Sequence, residues 1–190
     1  MFVLLEMSGT EKTTIYYWDA CAYLAWLKDE RDAYGDAAID ALGRIIKENF
    51  DRNAAIATST ITLIEVLSSS LTEEQEKRFR GSFRPANHVM YDVDPPVALK
   101  AREFRERFRS GKKLPTADAI HLATAVICRA NVLITFDEGK KDKQFVGLLG
   151  LSKDQRVDSL EISRPESVKP PPPPPEPDLF VEAQQPELGE

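Results

Sequence analysis

Between residues 13 and 164 the chain alternates short apolar runs with stretches in which apolar positions recur every three or four residues. Thr14-Ile15-Tyr16-Tyr17-Trp18 is β-branched and aromatic and reads as a buried strand. Ala38, Ile39, Leu42, Ile45, Ile46 and Phe50 follow the helical period, after a shorter helical patch over residues 22–27. Ala55-Ile56-Ala57-Thr58 reads as a second strand, with Ser59 as N-cap of a helix carrying Ile61, Ile64 and Leu67. Helices are predicted over 72–80 and 96–109, the latter opened by Pro95-Pro96, and over 117–129 behind Pro115-Thr116. His88 falls in a loop between them. Val132-Leu133-Ile134-Thr135-Phe136 is a third strand and 156–162 a fourth. Strands that alternate with helices predict an α/β fold whose mainly parallel sheet is covered on both faces.

The acids gain meaning from this pattern. Asp19 and Asp137 each follow an apolar strand, so a parallel sheet carries both to its carboxyl edge. The helix from 116 to 129 descends about 21 Å at ~1.5 Å per residue, and the strand after it climbs about 17 Å at ~3.3 Å per residue. Those lengths nearly cancel, which brings Asp118, in the first helical turn, level with Asp137. Glu65 lies in the second turn of a helix leaving the same edge, and helical side chains lean back toward the N-terminus. Taken singly, each acid has a bland reading as a turn residue or a partner of a helix dipole. Four carboxylates converging at one edge would repel one another and drive some to protonate at neutral pH. A hard divalent cation, Mg²⁺ or Mn²⁺, resolves that conflict with oxygen ligands alone and supplies the chemistry of phosphodiester hydrolysis.

Four motifs then resemble a known family. Tyr17-Trp18-Asp19-Ala20-Cys21, Thr60-Ile61-Thr62-Leu63-Ile64-Glu65-Val66-Leu67, Thr116-Ala117-Asp118-Ala119-Ile120-His121-Leu122-Ala123-Thr124-Ala125 and Leu133-Ile134-Thr135-Phe136-Asp137 are similar to the successive motifs of PIN-domain nucleases, and of VapC-type toxins in particular. The resemblance spans about residues 13–162. It implies a PIN-like three-layer sandwich with a central sheet of 4–5 strands. It also implies a Mg²⁺- or Mn²⁺-dependent endoribonuclease, the cytoplasmic toxin of a type II pair, homodimeric and held by a cognate antitoxin. Asp19, Glu65, Asp118 and Asp137 match the catalytic and metal-binding acids, and Thr135 matches a hydroxyl beside the last of them. His121, one turn after Asp118 and among apolar neighbours, is expected as a packed residue of the core or behind the acids, with proton shuttling as the alternative. The alternative is a PIN-like scaffold that binds RNA or protein without cutting. A haloacid-dehalogenase-like phosphatase would want a second Asp where Cys21 stands, and no phosphate-binding glycine loop is present.

Charge and composition add the remaining expectations. Of the chain's net −6, the last 26 residues contribute −5, so the folded part is nearly neutral. Within it, residues 77–113 carry a local excess of basic residues, from which Arg102, Arg105, Arg109, Lys112 and Lys113 are candidate RNA contacts. Glu103–Arg107 pairing on an ordinary solvated face is the competing reading. Two cysteines exclude a disulfide scaffold and suit a reduced compartment. No apolar stretch approaches membrane-spanning length, and the opening residues lack the basic region of a signal peptide. Residues 1–12 read as a flexible leader and 13–164 as the folded domain. Residues 165–190, with six consecutive prolines from Pro170, read as a disordered acidic tail that could present Leu179-Phe180-Val181.

Overall fold

Five parallel strands in the order β3-β2-β1-β4-β5 form the centre of the computed structural model, which describes residues 13–139 and 144–170. The strands are β1 Thr14–Trp18, β2 Ala54–Ser59, β3 His88–Tyr91, β4 Val132–Ile134 and β5 Ile162–Ser163. Between β1 and β2 run α1 Ala20–Lys28, α2 Arg31–Tyr34 and α3 Asp36–Phe50; between β2 and β3 run α4 Ile61–Leu67 and α5 Glu73–Ser82. Helices α6 Pro95–Arg107 and α7 Thr116–Ile127 connect β3 to β4, and short 3-10 turns precede and follow β5. The leader and the Leu179-Phe180-Val181 segment lie outside the described residues.

From Ile15 to Trp18, β1 is apolar because it is central and covered twice. Alternate side chains leave a strand on opposite faces. Tyr16 and Trp18 accordingly join α1, α3, Val66 of α4 and Phe79 of α5 in one core, while Tyr17 joins α6, α7 and the 3-10 segments in the other. Each of these rings is buried, and full burial of such a side chain contributes about 1.5–3 kcal/mol. The result is three layers, helix–sheet–helix, as the alternation of elements predicts. From β1 the chain steps outward to β2 and β3, then returns to the other side of β1 for β4 and β5. The strand order therefore reverses between β1 and β4, and α/β sheets open a crevice at the carboxyl ends of the strands at that point.

Several elements differ from the sequence expectation. His88 is not in a loop: it begins β3, is buried, and shares a 2.6 Å hydrogen bond between its Nε2 and the Tyr23 hydroxyl. Burial pushes its imidazole down to about 4, so it is neutral at pH 7. β3 is too short for a hydropathy period to reveal. Ser59 ends β2 rather than capping α4; the N-cap position is Thr60, which makes no side-chain cap bond. The third apolar run stops as a strand at Ile134, so Asp137 follows β4 after Thr135 and Phe136 rather than immediately. The segment 156–162 is mostly a 3-10 turn, Gln155–Val157, and a loop, with only Ile162–Ser163 paired to β4. The folded unit also runs past residue 164: Pro165 is buried, and the Val168 carbonyl accepts a hydrogen bond from Arg44 of α3. Composition alone assigned these residues to the tail because prolines and charges begin there.

None of the described helices is long and apolar enough to cross a membrane.

Candidate active site

Asp19 occupies the β1 side of the crevice. Its backbone is extended (φ −82°, ψ 179°), and it is the N-cap of α1, its Oδ1 accepting the Ala22 amide at 2.9 Å. Its Oδ2 accepts the Thr135 hydroxyl at 2.6 Å. The same Thr135 oxygen accepts the Asp137 amide at 3.0 Å, so one buried hydroxyl ties the ends of β1 and β4 together. Burial pushes the Asp19 carboxyl above the usual range, and Glu65 adds to the rise, against the opposing pull of His121, Thr135 and the Ala22 amide.

Asp137 is held by the backbone of the loop that follows it. Its Oδ1 accepts the Gly139 amide at 3.0 Å, and its Oδ2 accepts the Leu148 amide at 2.8 Å. The chain leaves at Gly139 (φ +70°) and returns at Gly147, and the two glycines approach so closely that a Cβ on either would meet the other's backbone. This glycine pair, which decides where Asp137 points, carried no signal in the sequence. Its partners lie eight residues apart, across a segment without periodicity.

Asp118 stands in the first turn of α7, as the helix start at Pro115-Thr116 predicts. Its carboxyl is raised to about 7, first by burial, then by Asp137, with Asp19 and Glu65 adding to the rise and His121 opposing it. Glu65, on α4, places its Oε2 2.7 Å from His121 Nε2. His121 is buried on α7, and its Nδ1 lies 2.9 Å from the Tyr17 hydroxyl. The charges of Asp19, Asp137, Glu65 and Asp118 all push up the thiol of Cys21, together with its partial burial. The four acids thus share one electrostatic neighbourhood at the carboxyl edge. They do not close tightly: among the described residues, no three His, Cys, Asp or Glu side chains stand together as a group that could hold a metal ion. The donors are all hard oxygens, and burial together with their repulsion raises the Asp118 carboxyl to about 7, so their chemistry fits a small divalent cation.

The candidate RNA contacts have mixed surroundings. Arg102 and Arg109 both pair with Glu106, at 3.0 and 3.3 Å, and Glu103 pairs with Arg107 as the competing reading expects. Among the described residues, Arg105 reaches only the Leu114 carbonyl, at 3.4 Å. Arg102, Arg105, Arg109 and Lys113 nevertheless rim a groove of about 550 Å³ between α6 and α7, floored by Phe108 and Ile120. Lys112 is exposed outside it.

A family model described as the PIN domain matches residues 16–146. No curated protein is similar enough in sequence to count as a match. Among solved structures, VapBC2 from Rickettsia felis, bound to a DNA fragment from the promoter of that pair, matches with a TM-score of 0.53 at 18% identity. That match covers 79% of this chain and 98% of that one. FitAcB from Neisseria gonorrhoeae matches with a TM-score of 0.51 at 16% identity, over 80% of this chain and 99% of that one. FitAB bound to an IR36 DNA fragment matches with a TM-score of 0.51 at 17% identity, over 81% and 97%.

Proposed function

Because the chain belongs to the PIN-domain family, we propose that it is a metal-dependent endoribonuclease, the toxin of a toxin–antitoxin pair. The observation that carries the reading is Asp118: a carboxyl lifted to about 7 by burial and by three neighbouring acids is unfavourable as an anion until a cation arrives. Asp19, Glu65, Asp118 and Asp137 would hold Mg²⁺ or Mn²⁺, which supplies polarisation of a phosphoryl oxygen and a water acidic enough to attack at neutral pH. Asp19 and Asp137 are oriented before substrate arrives, one by a helix N-terminus and one by loop amides, so little ordering remains to be done on binding. Thr135 keeps the two at constant spacing by donating to one and accepting from the other's amide. The resemblance to complexes whose names join two components supports an antitoxin partner, and the family resemblance supports a homodimer in the cytoplasm.

The α6–α7 groove supports an RNA path beside the acids. Its rim is basic, its floor apolar, and it opens next to the N-terminus of α7, where Thr116 lines it. Arg105 and Lys113, which make no ion pair among the described side chains, are expected to contribute most. In EDTA, Arg105→Ala with Lys113→Ala should weaken binding of single-stranded RNA and reduce the dependence of log Kd on log salt by about 1–2. An unchanged salt slope would return this face to an ordinary solvated one.

The test of the function is incubation of the purified protein with total RNA and Mn²⁺ or Mg²⁺, followed by mapping of new ends. Cleavage that stops with EDTA supports the nuclease. RNA bound without metal-dependent turnover is the signature of a non-cutting scaffold.

A further inference from the structure

We propose that His121 is a positioning residue which, backed by Tyr17, holds the Glu65 carboxylate in place for the divalent cation. The proposal rests on the four-carboxylate reading above and deepens it.

Two of the acids are held by main-chain amides, Asp19 by Ala22 and Asp137 by Gly139 and Leu148. Among the described residues, Glu65 finds no such support. It lies in the middle of α4, where main-chain amides are spent inside the helix, and its side chain keeps 32% of its surface exposed. A free glutamate of that length would lose appreciable rotamer entropy on taking up a ligand. What fixes it is the 2.7 Å contact with His121 Nε2. The His121 side chain is itself 3% exposed, and its ring packs edge-on to Tyr17 with centroids 5.9 Å apart and planes at 67°.

The hydrogen-bond roles are set by chemistry. A carboxylate can only accept, so Nε2 carries the proton and donates to Glu65. Nδ1, on the other side of the ring, shares a hydrogen bond with the Tyr17 hydroxyl 2.9 Å away, which holds the ring in place. Tyr17 is wholly buried, so this bond is shielded from water. The chain Tyr17–His121–Glu65 runs from the core side of β1, through α7, to α4. Three elements far apart in sequence meet in it. Tyr17 also sits two residues before Asp19, on the strand whose end leads directly into the first acid. Outer partners that fix the orientation of a ligand in this way commonly govern metal affinity.

The experiment compares the parent with His121→Leu, His121→Gln, Tyr17→Phe, Glu65→Gln and the Glu65→Gln/His121→Leu double variant. Mn²⁺ binding is measured by calorimetry, and the Mn²⁺ dependence of single-stranded RNA cleavage is measured in parallel, with thermal melts as a check of folding. His121→Leu should weaken Mn²⁺ binding by about 10–100-fold. His121→Gln retains a donor near the Nε2 position and should recover most of that loss. Tyr17→Phe should show a smaller loss in the same direction. In the Glu65→Gln background, His121→Leu should add nothing further, since the group it positions is already altered. Parent-like Mn²⁺ affinity in His121→Leu, a His121→Gln protein as weak as His121→Leu, or full additivity with Glu65→Gln would each overturn the proposal. Should leucine at 121 prevent folding, parent-like affinity in Tyr17→Phe and losses in His121→Gln equal to those in Glu65→Gln would do the same. A parent protein that binds no Mn²⁺ fails at the earlier step, the four-carboxylate reading, and so is distinguishable from a failure of the clamp.

Discussion

Asp118→Asn is expected to lower metal-dependent RNA cleavage by at least about 100-fold while making the metal-free protein more stable at pH 8. The two effects have one cause. In the folded chain the Asp118 carboxyl is raised to about 7, against about 3.9 when unfolded. The folded state therefore binds this proton more tightly than the unfolded chain does. The contribution to stability is complete below about pH 4 and is lost as pH rises through 7. Three units would correspond to about 4 kcal/mol, and for a half-buried carboxyl screened by solvent on one side, on the order of 2 kcal/mol is the working figure. Asparagine has no proton to lose, so the fall in stability between pH 5 and pH 8 should flatten in the variant. A residual slope from Asp19 should remain, since burial raises that carboxyl in the same direction. Urea unfolding in EDTA at the two pH values reads this directly. Equal losses in parent and variant would show that Asp118 is not under the strain described.

Metal removal gives the mirror image. A cation bound at Asp118 holds the carboxylate ionised, so binding should release protons near neutrality and weaken as pH falls below 7. Added Mn²⁺ should raise the melting temperature of the parent strongly at pH 8 and little at pH 5.5. Asp118→Asn should lose most of that response at both.

Gly147→Ala is the structural prediction with the largest effect. A Cβ there would fall inside the backbone of Glu138 and Gly139, and backbone cannot rotate away as a side-chain tip can. Overpacking of this kind costs about 1–3 kcal/mol, and a main-chain clash belongs at the upper end. For a chain of this size that is a fall in melting temperature of roughly 6–12 °C. The loop must open to relieve the contact, and Asp137 then loses the Gly139 and Leu148 amides that orient it, so cleavage should fall beyond what instability alone explains. Gly150→Ala is the control, because nothing stands within 4 Å of its Cβ position. Equal melting temperatures for the two variants would mean that the glycine pair does not close the loop.

What could be read from the chain alone was whatever depends on periodicity and local order. The β-branched and aromatic run 14–18 read as a buried strand because no charge interrupts it, and Tyr16, Tyr17 and Trp18 are all buried. The place of Asp118 in the first turn of α7 followed from the helix start, and Asp137 adds to the rise of its carboxyl. β3 escaped because it is short and opens on a histidine whose partner, Tyr23, lies 65 residues away. The glycine pair at 139 and 147 escaped because close approach of two backbones leaves no trace in hydropathy.

Residue order by itself determined that acids follow apolar strands and open or follow helices, and hence that they collect at one edge of a parallel sheet. Only the tertiary structure decided how each is held: Asp19 by a helix start, Asp137 by a glycine-closed loop, Glu65 by an imidazole that a core tyrosine orients. Edge and level depend on rise per residue, which is a property of the local chain. Orientation depends on hydrogen bonds between elements that meet only once the sheet has assembled.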